Sequence, residues 1–446
     1  MDLEDKISGC FTGLAIGDAM GSAVKGVKPE AVKQLFKQVD RYLDVKPHLG
    51  KGVKRYRMRG LYGAQTQLAL AVCDSLLEDK KSGVQGVADR LQVLSQGGSE
   101  GEFGVFRRPE GNLVRAVEAL RNRVELLPAE ASSKDCNFAV MGIPSALFYK
   151  KSSTTLERFW LESGLMMSRN VWEISAVGVV GLITLRCLQW EPGENLDKKS
   201  DELYQELIEY SETVLTVLQE QFPEVYEEQN TRTRTAFVDM LKGLQKMRSQ
   251  SQDEILQWVC EHASESTNNP IHHPSQASVL TLIPLALLTV LKHEGAFQST
   301  LTAVLNRGRS AEKLGALVGA WMGALCGFSK IPQELKTGLV NGKEIKTRGE
   351  ALCKRRVQGQ SKELYEMESG SSAKNREEER KYQPVSKVSK PASRSWDDDD
   401  DDELESDVPL KENKAEWRKF QKDKTRKKRD RRKNLDPELE LEEDLI

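Results

Sequence analysis

The sequence predicts an all-α domain over about residues 1–330, followed by a charged C-terminal extension. Three observations carry this. Two stretches near the ends of the domain repeat glycine every fourth residue: Gly9, Gly13, Gly17 and Gly21, then Gly315, Gly319, Gly323 and Gly327. Positions four apart lie on one face of a helix, so each ladder is a stripe without side chains. Glycine costs a helix about 0.8–1 kcal/mol per residue relative to alanine. Close approach of another backbone is the compensating gain, and the two ladders are expected to meet near the domain centre. The second observation is apolar spacing at helical period along most of the intervening chain. The third is that no run before residue 330 alternates as a half-buried strand would.

The elements follow in order. Residues 5–24 are the first ladder helix, ending near Gly26. Residues 28–45 carry Val32, Leu35, Phe36, Val39 and Leu43 at helical spacing after Pro29 and are expected to form one amphipathic helix. Residues 46–60 are basic, contain glycines, and read as a loop. Tyr62–Leu77 is a helix apolar on most of one side. GGSEGEFG at 97–104 is a loop without the following GK[ST] of a phosphate cradle. Residues 112–127 return to helical periodicity, and 135–149 reads as core. Leu156–Met167, Trp172–Leu188 and Leu203–Gln221 are three further helices. Residues 236–262 add helical pattern interrupted at 249–253. Ser275–Leu291 is uncharged and approaches the length of a membrane span. Gln276, Pro284 and its hydroxyl residues favour a buried helix of a large domain. Lys313–Phe328 is the last ladder. The sum is about ten helices.

Charged residues make up 30% of the 446 residues and aromatics only 6%, so part of the chain lacks the means to build a core. That part begins after Pro332. Residues 331–395 read as a disordered linker. Residues 396–446 segregate charge: six consecutive aspartates at 397–402, then 13 Lys/Arg against 4 Asp/Glu over Lys411–Lys433, then an acidic end. The seven cysteines are scattered singly without a CxxC pair, which favours a reducing compartment. The N-terminus lacks the basic segment of a signal peptide. A cytoplasmic protein without a membrane partner is expected.

At the ladders the chain resembles the ADP-ribosylglycohydrolase family. GCFTGLAIGDAMG (Gly9–Gly21) fits the pattern GxxxGxAxGDAxG at every fixed position, and GALVGA (Gly315–Ala320) fits the last core helix. GAQTQLAL (Gly63–Leu70) stands where the family has a helix opening TDDTQ. The resemblance covers about residues 5–330. It implies an all-α fold and hydrolysis of ADP-ribose bonds to side chains. It also implies two Mg²⁺ ions, held by the TDDT start and by a D-x-D-T loop before the last helix. Magnesium demands hard oxygen ligands in near-octahedral array, and a pair of such ions activates water.

Carried onto this chain, those ligands are largely replaced. The threonine falls on Gly63, the two aspartates on Ala64 and Gln65, and Thr66 alone matches. In the last loop the aspartates fall on Asn306 and Gly308 and the threonine on Arg309. A glutamate that usually follows the first ladder falls near Lys25, and a glycine-rich, arginine-bearing segment falls on Asp135–Met141. Asp18 matches its motif, and its place inside a ladder helix suits hydrogen bonding to neighbouring backbone.

Three readings of the cleft stay open. It is closed, or Lys25, Arg307 and Arg309 stand in for the metals and bind an anion such as pyrophosphate, or hydrolysis is retained. No catalytic or metal-binding residue is assigned. The vestigial cleft is placed at Lys25, Gln65, Thr66, Asn306, Arg307 and Arg309. His272 and His273 lack a nearby carboxylate pair and give no metal site.

The leading function is a non-catalytic member of this fold that binds or scaffolds. One alternative is a hydrolase removing ADP-ribose from protein side chains or a related conjugate. Another is an RNA- or ribonucleoprotein-associated protein acting through the basic tail, where Trp417 and Phe420 offer stacking. The expected partners are an unidentified protein, an ADP-ribose-like small molecule, and RNA at Lys411–Lys433. No cofactor is expected, Mg²⁺ being reserved for the hydrolase alternative.

Overall fold

The computed structural model describes residues 2–98, 102–123, 125–191, 196–292, 296–356 and 363–382. Among them lie eighteen α-helices and no named strand, with one isolated bridge between Leu49 and Val53. The fold is all-α, as the glycine ladders and the apolar spacing predict.

The first and last ladders are α1 (Leu3–Gly21) and, fifteenth in order, α15 (Ala311–Cys326). They pack antiparallel at the centre. Gly9 sits on Gly323, Gly13 on Gly319, Gly17 on Gly315 and Gly21 on Ala311, backbone against backbone. A Cβ at any of these glycines would fall inside the facing carbonyl group, so the pair tolerates no side chain there. Nearly every residue of both helices is buried.

Around this pair the chain wraps in order. α2 (Pro29–Phe36) leads to α3 (Ala64–Glu78), α4 (Gly83–Leu94) and α5 (Gly111–Asn122). α6 (Gly142–Tyr149), α7 (Thr154–Met167) and α8 (Val171–Gln189) follow; α8 is the second buried pillar, tied to α15 by Trp321 Nε1 donating to Thr184 Oγ1 at 3.1 Å. α9 (Leu196–Gln221), α10 (Pro223–Glu227), α11 (Thr231–Met247) and α12 (Gln252–Thr267) form an outer group. The break expected at 249–253 is the capping box of α12, where Ser251 and Glu254 satisfy each other's backbone amides. α13 (Val279–Lys292) is buried despite Pro284, and α14 (Phe297–Leu305) leads into α15. By length and composition Leu3–Val24 and Val171–Gln189 could each cross a membrane, but both are packed inside the protein.

Two expectations differ from the structure. The helix expected over 28–45 stops at Phe36, where Lys37 adopts a left-handed φ of 64°. Beyond it, tertiary hydrogen bonds replace helical ones: the Val39 amide donates to Asn306 Oδ1 (2.8 Å) and Tyr42 Oη to the Leu335 carbonyl (2.8 Å). Second, helical structure continues past the expected boundary at 330, through α16 (Gln333–Gly338), α17 (Gly342–Lys354) and α18 (Leu364–Tyr382). Gly349 of α17 packs against Ser8 of α1. α18 buries Glu368 completely. The expected linker over 331–395 is therefore helical over much of its length up to residue 382. The remainder of that segment, the tail at 396–446 and its basic stretch Lys411–Lys433 lie outside the described residues.

Candidate functional site

The start of α3 is where the resemblance expects two aspartates. Its N-cap residue is Gly63, which has no side chain to cap with. The cap comes from α1. Asp18 Oδ2 accepts from the Gly63 amide (3.0 Å), the Thr66 amide (2.9 Å) and Thr66 Oγ1 (2.7 Å), and Oδ1 accepts from Ser22 Oγ (3.1 Å). A buried carboxylate with four donors at a helix N-terminus is well stabilised by hydrogen bonds and by the helix dipole. Lys6, also on α1, does the converse. Its ammonium donates to the Leu188 and Trp190 carbonyls at the C-terminus of α8 (3.0 and 2.5 Å). The first helix thus caps two others with charges of the right sign.

Just after α1 and at the start of α15 lies a part-buried ion-pair cluster. Glu110, just before α5, bridges two ammonium groups: Oε1 to Lys25 Nζ at 2.8 Å and Oε2 to Lys313 Nζ at 2.7 Å. Lys25 also pairs with Glu312 Oε1 at 3.0 Å, and Lys313 Nζ donates to the Asp135 carbonyl at 2.8 Å. Burial works against the Glu110 carboxylate, but Lys25 and Lys313 outweigh it and hold its pKa down at about 2. Lys25 is likewise pushed up, Glu110 and Glu312 overcoming the burial penalty. Neighbouring Asp135 is raised, by burial first and then by the Glu110 charge.

The loop behind this cluster is held by Glu173 in the first turn of α8. Its carboxyl accepts from the Asn137 amide (2.8 Å), the Phe138 amide (3.4 Å) and Ser133 Oγ (3.4 Å). Complete burial raises its pKa to about 7, against the hydrogen bond from Asn137 and with help from Asp135.

The six expected cleft residues divide among different partners. Thr66 is bound to Asp18, and Gln65 Nε2 reaches the Asn137 carbonyl at 3.4 Å. Lys25 is neutralised by two carboxylates. Asn306 uses its side-chain oxygen to hold the Val39 amide. Arg309 has a left-handed φ of 54°, and its backbone pairs with the turn after α1: its amide donates to Val27 and its carbonyl accepts from Gly26, both at 2.8 Å. Arg307 lines a groove of about 670 Å³ with Asp253, Cys260 and His273, which none of the other five lines. Burial, then Arg309 and Arg307, push His273 down to about 4.

These residues do not fit two magnesium ions. At the start of α3 the donors are an amide and a hydroxyl whose proton already goes to Asp18. At 306–309 they are an amide whose oxygen is engaged, a glycine and a cation. Mg²⁺ needs several hard oxygens at about 2.0–2.1 Å. Among the described residues no group of three or more His, Cys, Asp or Glu is placed to hold a metal.

Sequence reasoning missed Arg57, Glu110, Asp135, Glu173, Glu312 and Lys313 as members of this region. Glu312 and Lys313 open the last ladder helix and were legible as charges on a helix otherwise apolar. Arg57 had a weaker signal, one cation among several in the basic loop expected over 46–60. Nothing local marks Glu110 or Glu173.

A helical fold built on two crossed glycine ladders, with an aspartate of the first capping the next long helix, is that of the ADP-ribosylglycohydrolases. The family model described as ADP-ribosylglycohydrolase matches residues 1–363, and the chain belongs to that family. A protein of Archaeoglobus fulgidus, described as an uncharacterized protein, is 24% identical over 337 residues, spanning 76% of this chain and 92% of its own length. A solved structure described as an ADP-ribosylglycohydrolase-related protein complex superposes with a TM-score of 0.54 at 18% identity, covering 79% of this chain and 99% of that one. At that identity the likeness concerns the fold.

Proposed function

We propose that this chain is a non-catalytic ADP-ribosylglycohydrolase-like protein that binds or scaffolds, and that its cleft takes an ADP-ribose-like anion without a divalent cation. The observation that carries the reading is at the start of α3. No carboxylate stands there, and the acid that reaches it from α1, Asp18, has both oxygens engaged by four donors. The nearby carboxylates of Glu110 and Glu312 are paired with ammonium groups rather than left open to a cation. A metal would have to displace those lysines from the carboxylates they already neutralise.

The test has two arms. The full chain is incubated with an ADP-ribosylated peptide and Mg²⁺, and free ADP-ribose is followed; release no faster than the blank is expected. In parallel, ADP-ribose is titrated calorimetrically in Mg²⁺ and in chelator, with equal affinity expected. Magnesium-dependent release would overturn the proposal.

A further inference from the structure

One buried cation beside the start of α3, Arg57, has a side-chain nitrogen that no described residue satisfies. Residues 56–58 lie between α18 and the start of α3. Tyr56 and Met58 turn to α18, where Tyr56 Oη donates to Glu378 and the Met58 amide to Asn375 Oδ1 (2.8 Å). Arg57 lies between them in the chain and reaches the start of α3 instead. Its Nη1 stands by Gly63, the N-cap of α3.

Arg57 is 6% exposed, and its Nε has no hydrogen-bond partner among the described residues. Asp18 acts on it electrostatically but has both oxygens engaged elsewhere. Burial lowers the Arg57 pKa, and the charges of Asp18 and Glu312 offset that only in part. Neighbouring Arg107 and Arg108 differ: each is paired, with Glu368 and Glu379 of α18. An unpaired guanidinium is expensive to bury, and a planar fork of donors is suited to phosphate oxygens.

One further feature points the same way. Asp18 caps the Gly63 and Thr66 amides, while the Ala64 and Gln65 amides between them take no acceptor from the described residues. Free amides at a helix start are anion donors. A Cβ built at Gly63 would meet Asp18 Oδ1 at 3.1 Å and Ser22 Oγ at 3.3 Å before Arg57 Nη1 at 3.8 Å, so the guanidinium stands within contact distance of the N-cap residue. Its φ of −106° does not itself require glycine.

We propose that Arg57 and the first turn of α3 form an oxyanion site that receives a phosphate or pyrophosphate group where the family scaffold would hold its cations. The proposal rests on the reading of the cleft as a metal-free anion binder and names the group that does the binding. Arg57 replaces, as the anchoring cation, the trio Lys25, Arg307 and Arg309 expected from sequence.

The test is calorimetric titration of the full chain, in chelator, with inorganic pyrophosphate, ADP-ribose and adenosine. Pyrophosphate and ADP-ribose are expected to bind and adenosine not to. Arg57→Gln should weaken pyrophosphate at least about tenfold, with Arg57→Lys between it and wild type. A melting temperature of Arg57→Gln close to wild type separates lost binding from lost folding. Wild-type pyrophosphate affinity in Arg57→Gln, or no pyrophosphate binding by the unmodified chain, would overturn the site. Magnesium-dependent ADP-ribose release would refute the proposed function while leaving Arg57-dependent binding standing. Metal-free binding indifferent to Arg57 would do the reverse.

Discussion

Glu173 is buried at the base of α8 with its carboxyl on the Asn137 and Phe138 amides, and this makes it a proton acceptor that matters only in the folded state. Its pKa of about 7 lies above the ordinary 4.5. Between those values the folded chain binds more protons than the unfolded one, so the contribution is full below 4.5 and is lost as pH rises through 7. His273 acts with the opposite sign: held at about 4 against 6.5, it favours folding as pH rises between them. The Glu173 effect is therefore read as a difference. Urea melts of the wild type and Glu173→Gln, whose amide mimics the neutral acid, should agree below about pH 4.5 and separate as pH rises through 7, with the wild type losing. Parallel curves would show that Glu173 is already ionised in the fold. Asp18 makes a different residue-scale point. Its motif suggested a structural or a chemical role, and its four donors give the structural one.

At the scale of elements, α1 and α15 are held by the absence of side chains. Neither helix can shift, because the atoms facing each glycine are backbone. Gly17→Ala should cost about 3 kcal/mol or more, the upper range for overpacking, measured by denaturant midpoint. Gly370 is the control. It lies exposed within α18 with nothing near a Cβ built on it. Gly370→Ala should stabilise by about 0.4–1 kcal/mol, since only the unfolded chain and helix propensity respond. Equal effects at the two sites would remove the close-packing account of the ladders. These helices were legible because their signal is a strict four-residue repeat. The end of α2 was not: Val39 and Tyr42 keep helical spacing, but partners 250 and more residues away claim their polar groups.

For the whole molecule, α18 closes the fold across Tyr62, Gln67 and Arg107. Glu368 accepts from Tyr62 Oη (2.6 Å), Gln67 Nε2 (2.7 Å) and the Arg107 guanidinium, all out of solvent. The family match ends at residue 363, immediately before this helix. Glu368→Ala would leave Arg107 buried without its counter-charge, and a loss of about 3–5 kcal/mol is expected in a thermal or urea melt. Glu379→Ala, at a half-exposed pair with Arg108, should cost about 1 kcal/mol or less. A small loss at Glu368 would mean that α18 is not integral to the domain.

The sequence by itself determined the all-α class and the meeting of the two ladders, because each is written in local residue identity and spacing, while their antiparallel direction came from the structure. The sequence missed α18. The buried positions Leu364, Met367, Glu368, Ser371, Ser372 and Asn375 fall on one helical face, but four of the six are polar, so no apolar stripe announces them. Only the tertiary structure supplies their partners: Ser372 on the Val105 carbonyl, Asn375 on the Met58 amide, Glu368 on Arg107. The same holds for the cleft. The chain offered an expectation of which residues stand at the family's carboxylate positions. Which cation stands by Gly63, and which are neutralised by Glu110, depended on groups brought together from positions 18, 25, 57, 110 and 313, and hydrogen bonds and ion pairs between distant residues leave no period in a sequence.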